Sequence, residues 1–533
     1  MTASPHVVGG ELRPVNPATL EPVGSVRVNR PEEVGEAVAE ARLAQETWAR
    51  ESLEARSRLL REAAHIVLAD LEKIAATIVA ETGKPVIEAM TTELFVSLDN
   101  LVWLSRNLGR VLGPERVPFL QPYVLHKRAR LLYEPMGVVG IISPWNFPFG
   151  VPFTQVATAV AAGNAAVLKP SELTPLSGAW VEDVFRRAGM PAGLVRVIQG
   201  PGEIVGDALV RARGVAKLVF TGSTDVGRVV GARAAERLCP ATLELGGKDP
   251  MLVLDDADLE RAIEGALWGS FANCGQVCSG IERIYVARSL YEPFVQGLAE
   301  RARSLRLGRG DDPRTDMGPL VSEEQRARVE ELVADTVDRG ATVVTGGARP
   351  DVGLPGWFHE PTVLAAAAGA HAGRIDREEI FGPVVTVASI DNEEDGIRLA
   401  NDSPFGLGAS VWTRSRERAG SVAARLEAGS VWMNDAMYSY GTCQAPWGGR
   451  KGSGYGRTHS RHGLYQLSQI KFTDVDRGRL TPPWWYPYGE GVLDGFQGAL
   501  GALYGDGPGA RLGSAWRHRH GLVVLGRRVL RGR

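Results

Sequence analysis

Residues 165–189 read AAVLKPSELTPLSGAWVEDVFRRAG, and residues 217–238 read KLVFTGSTDVGRVVGARAAERL. Each opens on a short apolar run with the length of a buried strand. A polar turn follows, and then apolar residues recur at three- and four-residue spacing. Between them VRVIQG (195–200) precedes GEIVGDALVRA (202–212) in the same order, and GVVGIIS (137–143) is a further apolar run upstream. Strand then helix, repeated, is the pattern of βαβ units: a parallel sheet with helices on both faces. Ligands of such sheets sit beyond the carboxyl ends of the strands, so chemistry is expected at turns such as KPSE and TGST.

Working outward, the pattern before this block is helical. Residues 31–111 carry apolar residues at helical spacing, with Gly83 and Pro85 as the stop of the second long helix. YVLHKRARLLYEP (123–135) then alternates like a strand. A second α/β region begins near Met251 and runs through RIYVARSLYEPFVQGLAERARSL and GASVWTRSRERAGSVAARLEAGSVWMND. Two blocks of strand–helix pairing predict two α/β domains with a cleft between them. The chain has 533 residues, 44% hydrophobic and 23% charged, with a formal net charge of −2 and four cysteines. That length exceeds one core, the charge argues against a nucleic-acid binder, and four scattered cysteines fit a reducing compartment. The N-terminus lacks a secretory pattern, and no apolar run reaches the ~18 residues of a spanning helix. The expectation is a cytoplasmic multidomain enzyme.

Its reactive group is sought in FANCGQVCSGIERIYV, Phe271–Val286, where Cys274 and Cys278 stand in a small, polar, turn-forming loop before an apolar strand. Cys239 and Cys443 are isolated, so the spacing of a zinc site is missing and no metal is expected. Two buried cysteines acting as small hydrophobes is the ordinary alternative; the Gly275–Gln276 and Ser279–Gly280 surroundings favour a presented thiol instead. A nucleophilic cysteine needs a base and an oxyanion donor. LELGGKDP supplies Glu244 at the end of an apolar run, and ISPWNFPFG supplies Asn146 in a proline-braced aromatic turn.

The motifs PWNFP, LKPSE, FTGSTDVG, LELGGKDP, GQVCSG, EEIFGPV, NDSPFGLGASVW and PWGGRKGSGYGR occur in that order. Together they resemble the NAD(P)-dependent aldehyde dehydrogenase superfamily over roughly Val15 to Thr473. The resemblance implies an α/β fold with a Rossmann-type cofactor domain, an α/β catalytic domain and a small β oligomerisation extension. Carried onto this chain, the cofactor domain is residues 1–116 and 136–246, and the catalytic domain is 247–452. The extension is 117–135 and 453–475, its hairpin FLQPYVLHKRARLLYE pairing with the strand near LSQIKFTDV, and 476–533 is an added tail. Cys278 would attack an aldehyde, Asn146 with the Cys278 N–H would hold the oxyanion, and Glu244 would activate the water that cleaves the thioester. Ser143, Trp145, Lys169, Ser171, Glu172, Gly222, Ser223, Gly227, Glu379 and Phe381 fall at positions that hold the cofactor. Glu172 favours NAD, with NADP as the alternative. Cys274 is read as a structural neighbour, or as a redox partner of Cys278. A homodimer or homotetramer is implied.

The chain also departs from that pattern. Many relatives pass protons between a glutamate after the final GxGR and a lysine after the WNFP turn. Here Thr458 follows Arg457, and FTQVATA (153–159) has no lysine. Phe147, Phe153, Phe271, Tyr440 and Trp447 are candidate pocket residues, with Val277 beside the thiol; each has core packing as its alternative, and together they suggest an apolar aliphatic or aromatic aldehyde. The rival substrate is a succinate-type semialdehyde, which Arg283 or Arg450 would anchor. A non-catalytic family member is the rival class, opposed by the joint presence of Cys278, Glu244 and Asn146. The tail holds PPWWYPYG and, after Asp506, seven arginines and no acid. It either docks on its own oligomer, lies on an anionic membrane, or stays partly unstructured.

Overall fold

A computed structural model describes residues 7–121, 124, 126–366, 373–476 and 481–530. The chain divides into two compact units, Met1–Leu112 with Glu134–Gln469, and Gly113–Tyr133 with Ile470–Arg533. The first unit holds both large sheets. One has the strand order Gly454–Tyr455, Ala241–Glu244, Val215–Thr221, Val138–Ile142, Ala165–Lys169, Val195–Val197. The last five run parallel, and the two-residue edge strand is antiparallel. Val138–Ile142 and Ala165–Lys169 are buried at every position, which is why they read as unbroken apolar runs rather than alternating ones. From Val138–Ile142 the chain adds strands on one side, then returns to add Val215–Thr221 and Ala241–Glu244 on the other. Strand order therefore reverses between Val138–Ile142 and Val215–Thr221, the kind of crevice where open α/β sheets bind ligands.

The other sheet has seven strands, ordered Thr342–Thr345, Thr362–Ala365, Val384–Ile390, Ile281–Ala287, Asp249–Val253, Gly408–Trp412, Ser430–Met433. All but the antiparallel first are parallel. Met251, Ile284, Phe294 and Val385 lie in its core, together with Phe271 and Cys274. The helical region becomes Pro31–Trp48, Leu53–Ala69 and Leu71–Thr82, the last closed by Gly83 at φ 72°. A π-helical turn, Ala89–Leu94, then leads into Phe95–Leu112. The expected extension 453–475 is divided: Gly454–Tyr455 completes the first sheet and Ser460–Gln466 is a helix, both in the first unit.

Most of a three-stranded sheet of Ser468–Asp476, Lys127–Pro135 and Glu115–Val117, in that order, belongs to the second unit. Lys127 Nζ meets Asp474 Oδ2 at 2.7 Å across it. Of the expected hairpin, Pro122, Tyr123 and Leu125 lie outside the described residues. The tail forms three helices, Glu490–Tyr504, Gly507–Arg517 and Arg519–Leu530; residues 477–480 and 531–533 lie outside the described ones. Among the described residues no helix is long and apolar enough to cross a membrane.

Candidate active site

One large cavity, of about 940 Å³, opens in the first unit beside the strand-order reversal. Trp145 and Asn146, from the turn after Val138–Ile142, line it together with Gly222 and Ser223, from the turn after Val215–Thr221. Glu244, Val277, Cys278, Glu379 and Phe381 complete the same wall system, with Phe147, Tyr440 and Trp447. Trp145, Asn146, Gly222, Ser223 and Glu244 reach the cavity from the carboxyl ends of first-sheet strands, while Cys278, Glu379 and Phe381 come from the loops that lead into Ile281–Ala287 and Val384–Ile390.

Cys278 is carried by an unusual turn. Asn273 (φ 52°), Cys274 (φ 56°) and Gly275 (φ 69°) are consecutive left-handed residues. Each non-glycine residue there costs about 1–2 kcal/mol, so the turn must be held by its partners. The Glu88 carboxylate accepts the Asn273 N–H at 3.0 and 3.1 Å. Asn273 Nδ2 donates to Asn146 O at 3.0 Å and to Gln276 O at 3.1 Å. Gln276 Nε2 donates back to Asn273 O at 3.0 Å, and its Oε1 accepts the Val321 N–H at 2.9 Å. Gly275 could be no other residue: a Cβ there would lie 2.0 Å from Gly382 O. Cys278 itself packs against Leu407, Trp432 and Trp447. Its N–H makes no hydrogen bond among the described residues. Cys274 is buried in the core.

The same network aims Asn146. Its carbonyl accepts Lys84 Nζ at 2.7 Å, and its Nδ2 gives one proton to Gln276 O at 3.0 Å, which leaves a second N–H to donate. Lys84 is buried, pairs with Glu93 at 2.8 Å and stands 4.4 Å from the Phe147 ring. Glu93 accepts the Phe149 and Gly150 N–H groups at 2.8 and 3.0 Å. From the π-helical turn its carboxylate braces the far end of the WNFPFG turn directly and the near end, at Asn146 O, through Lys84.

Glu244 ends its strand with both carboxylate oxygens buried and without a hydrogen-bond partner among the described residues. Burial holds its carboxyl well above the usual range, opposed by the charge of Arg457. The Gly246–Gly247 turn allows the close approach of this strand to the cysteine loop, since a Cβ on Gly247 would lie 2.1 Å from Cys278 O. Burial, then the carboxylates of Glu379, Asp249 and Glu244, push the Cys278 thiol up. Glu379 is itself pushed up to about 8 by burial and by Glu282, and accepts the Gly247 N–H at 2.9 Å. Glu282 takes the Ile380 N–H at 3.0 Å and the Phe381 N–H at 2.9 Å while paired with Lys248. That buried pair fixes the loop from which Phe381 meets Trp145 edge-on at 5.3 Å.

Other predicted positions stand apart from the cavity wall. Lys169 Nζ donates to Glu172 Oε2 at 2.9 Å at the end of Ala165–Lys169. Burial would raise the Glu172 carboxyl, but Lys169 outweighs it and holds the group below its usual range. Ser143 Oγ reaches Gln155 Oε1 at 3.5 Å, and Ser171 Oγ accepts the Leu173 N–H at 3.3 Å, so Ser171 builds its own turn. Gly227 does not line the cavity; a Cβ there would meet Leu245 at 2.3 Å, so it serves helix-to-strand packing. Ser223 caps the helix Thr224–Glu236, whose first turn faces the cavity through Thr224 and Asp225. Two pocket expectations are corrected. Phe153 is fully buried between Phe149 (4.7 Å) and Phe185 (5.0 Å), and Phe271 belongs to the second sheet's core. Volume and shape put both in the packing rather than in the pocket.

Several lining residues escaped the sequence reading: Glu88, Thr91, Phe95, Trp268 and Met437 among them. The available signal was in GKPVIEAMTTEL (83–94), where Lys84, Glu88 and Glu93 place three charges at buried positions among otherwise uncharged residues. A second, small cavity of about 20 Å³ lies behind Gln155, which lines both. Thr242, Arg457, Thr458 and His459 bound it, and Thr242 Oγ1, Thr458 Oγ1 and His459 Nδ1 are buried without a partner among the described residues. Burial depresses His459 to about 4.

The sequence model of the aldehyde dehydrogenase family matches residues 7–473. A betaine aldehyde dehydrogenase of Mesorhizobium japonicum is 39% identical over 478 residues, covering 89% of this chain and 96% of that protein. A mitochondrial succinate-semialdehyde dehydrogenase of Oryza sativa is 36% identical over 464 residues, covering 87% and 86%. An NAD+ complex of an aldehyde dehydrogenase from Bacillus cereus superposes with a TM-score of 0.84 at 36% identity, over 88% of this chain and 94% of that one.

Proposed function

The chain belongs to the aldehyde dehydrogenase family, and on that premise we propose that it oxidises an apolar aliphatic or aromatic aldehyde to its carboxylic acid with NAD, through a thioester on Cys278. The observation that carries the reading is the convergence of Cys278, Glu244 and Asn146 on one cavity at the strand-order reversal.

The residues fit a dinucleotide. The first turn of Thr224–Glu236 offers helix N-terminal amides to a pyrophosphate, and the anionic Glu172 suits a ribose 2′-hydroxyl while repelling a 2′-phosphate. Trp145, Glu379 and Phe381 would hold the nicotinamide end. When bound, NAD supplies the hydride acceptor. The Cys278 sulfur, once deprotonated, forms a bond to the carbonyl carbon. The second Asn146 N–H and the free Cys278 N–H stabilise the resulting oxyanion, an arrangement whose loss typically costs ~10²–10³ in rate. After the aldehydic hydrogen has left with its electron pair, Glu244 takes a proton from water. That water attacks the thioester, releasing the acid and returning the thiolate.

Glu244 must then shed its proton without the lysine that many relatives place after the WNFP turn. The small cavity supports an outlet. Thr242 precedes Glu244 by two residues on one strand, so both face the same side of the sheet. A cavity of this size with three unpaired polar groups takes a water.

The cavity lining bears on the substrate. Arginines line it at Arg228, Arg328 and Arg377, beside the predicted cofactor segments 222–225 and 378–381. Arg283 is fully buried, donating to the Lys248, Leu399 and Ala400 carbonyls, so it cannot anchor a second carboxylate. Arg450 is exposed outside the cavity lining. Phe147, Tyr440, Trp447 and Val277 favour an apolar or aromatic aldehyde. A second reading, a quaternary-ammonium aldehyde, is favoured by Glu88 standing in the same wall as these aromatic faces. NADH formation from hexanal, benzaldehyde, betaine aldehyde and succinic semialdehyde separates them. Preference for hexanal or benzaldehyde in kcat/KM supports the reading, and preference for succinic semialdehyde overturns it.

A further inference from the structure

The helices after residue 481 leave uncovered the apolar surface that helices usually bury. Glu490–Tyr504 buries Val492, Gly495 and Gly498 on one side. Leu493, Phe496, Leu500 and Leu503 recur at three- and four-residue spacing and so form a second stripe, with Leu493, Leu500 and Leu503 exposed. Gly507–Arg517 buries no residue and presents Leu512 and Trp516, four positions apart, the indole 73% exposed. Arg519–Leu530 adds Val523 and Leu530, and the approach to the helices adds Trp485, Tyr486 and Tyr488. The helices are nonetheless closely joined: a Cβ on Gly521 would lie 2.2 Å from the Gly495 nitrogen. Asp494 accepts the Gly521 N–H at 3.0 Å and meets His518 Nδ1 at 2.7 Å, so this acid is already engaged. The span matched by the family ends at residue 473, before this element begins.

We propose that this helical element is a docking surface for an anionic phospholipid bilayer. Leucine and valine supply apolar depth, and tryptophan and tyrosine suit the headgroup level. Arginine pairs with phosphate in two-pronged fashion. After Asp506 the sequence has seven arginines and no acid, so the surface is complementary to a negative one. No described helix is long and apolar enough to span, and the helices would lie in the interface plane. A symmetric contact with a second copy would set the five arginines at 511–528 of each chain against the same arginines and only Glu490, Asp494 and Asp506, with Asp494 already engaged, so charge repulsion disfavours it.

The test is co-sedimentation of the full chain with vesicles of phosphatidylglycerol mixed into phosphatidylcholine, against phosphatidylcholine alone, at low and high salt. Arg517→Gln and Arg527→Gln remove charges that make no hydrogen bond among the described residues; Leu512→Ser with Trp516→Ser removes apolar depth. The expected result is binding to the anionic vesicles alone, weakened by salt. Each arginine replacement should lower partitioning about five-fold, equivalent to ~1 kcal/mol. The apolar pair should lower it at least about ten-fold, with aldehyde oxidation in solution unchanged in both. Equal partitioning onto both vesicle types, or none, overturns the proposal. So does a fall in mass by light scattering in the apolar pair without vesicle binding by the parent chain, which would assign the surface to a second copy.

Discussion

Cys278 has its thiol raised by burial and by three carboxylates, so acylation is expected to speed up as pH rises. Glu244 is also raised, and it must be unprotonated to activate water, so thioester cleavage should rise with pH as well. In rapid-mixing experiments the NADH burst and the steady rate should therefore both climb from acid to neutral pH. Cys278→Ala should abolish oxidation while leaving NAD binding, followed by quenching of tryptophan fluorescence, unchanged; residual turnover would remove the thiol from the mechanism. Asn146→Ala should lower kcat/KM by ~10²–10³, since one oxyanion donor is lost. Its own anchoring bond to Gln276 O suggests local loosening too, so Asn146→Asp, nearly isosteric but wrong in charge, is the companion: a rate near wild type would refute the donor role.

Between residue and fold stand the elements that hold these groups. Lys84 and Glu93 are both buried, and breaking such a pair by removing one partner costs about 3–5 kcal/mol. Lys84→Met should lower Tm sharply, and adding Glu93→Leu should recover only part of that stability, since it removes the unpaired buried charge but leaves the Phe149 and Gly150 N–H groups without their acceptor. Activity should stay low in both, because Asn146 O loses Lys84 in each and the Phe149 and Gly150 N–H groups also lose their acceptor in the double variant; recovery of full activity would show that the brace is only structural. These braces were the least legible part of the sequence. The strands were readable because total burial writes apolar runs such as VVGII, and Gly83 marked a helix end that its φ of 72° requires. Cys278, Glu244 and Asn146 were readable as motifs. Lys84, Glu88, Lys248 and Glu282 were not, because a charged residue ordinarily faces solvent. Only the fold reveals that each meets a partner from a distant segment. Phe153 was misread for the converse reason, as its stacking between Phe149 and Phe185 has no local signature.

For the molecule as a whole, pH acts on stability through its buried acids. Burial raises Glu88 to about 7 and Glu379 to about 8. Both hold a proton in the fold at pH values where the unfolded chain has lost it. Their stabilisation is therefore complete below the unfolded value of 4.5 and is lost as pH rises through about 7 and 8. Tm should fall across that window, and Glu88→Gln should flatten its lower part; an unchanged slope would mean that Glu88 is ionised throughout. The described residues that line the cavity run from Glu88 to Gly452, all in the first unit. A chain ending at Asp476 should thus keep kcat for a soluble aldehyde within about two-fold, a difference near the error of such comparisons.

The most direct test of the central claim is rapid mixing of Glu244→Gln with NAD and excess aldehyde, followed by mass spectrometry of the protein. The expected result is one NADH per site, then a stall, with the acyl group recovered on Cys278. Steady turnover at the wild-type rate, or a burst with no acyl group on Cys278, would contradict it.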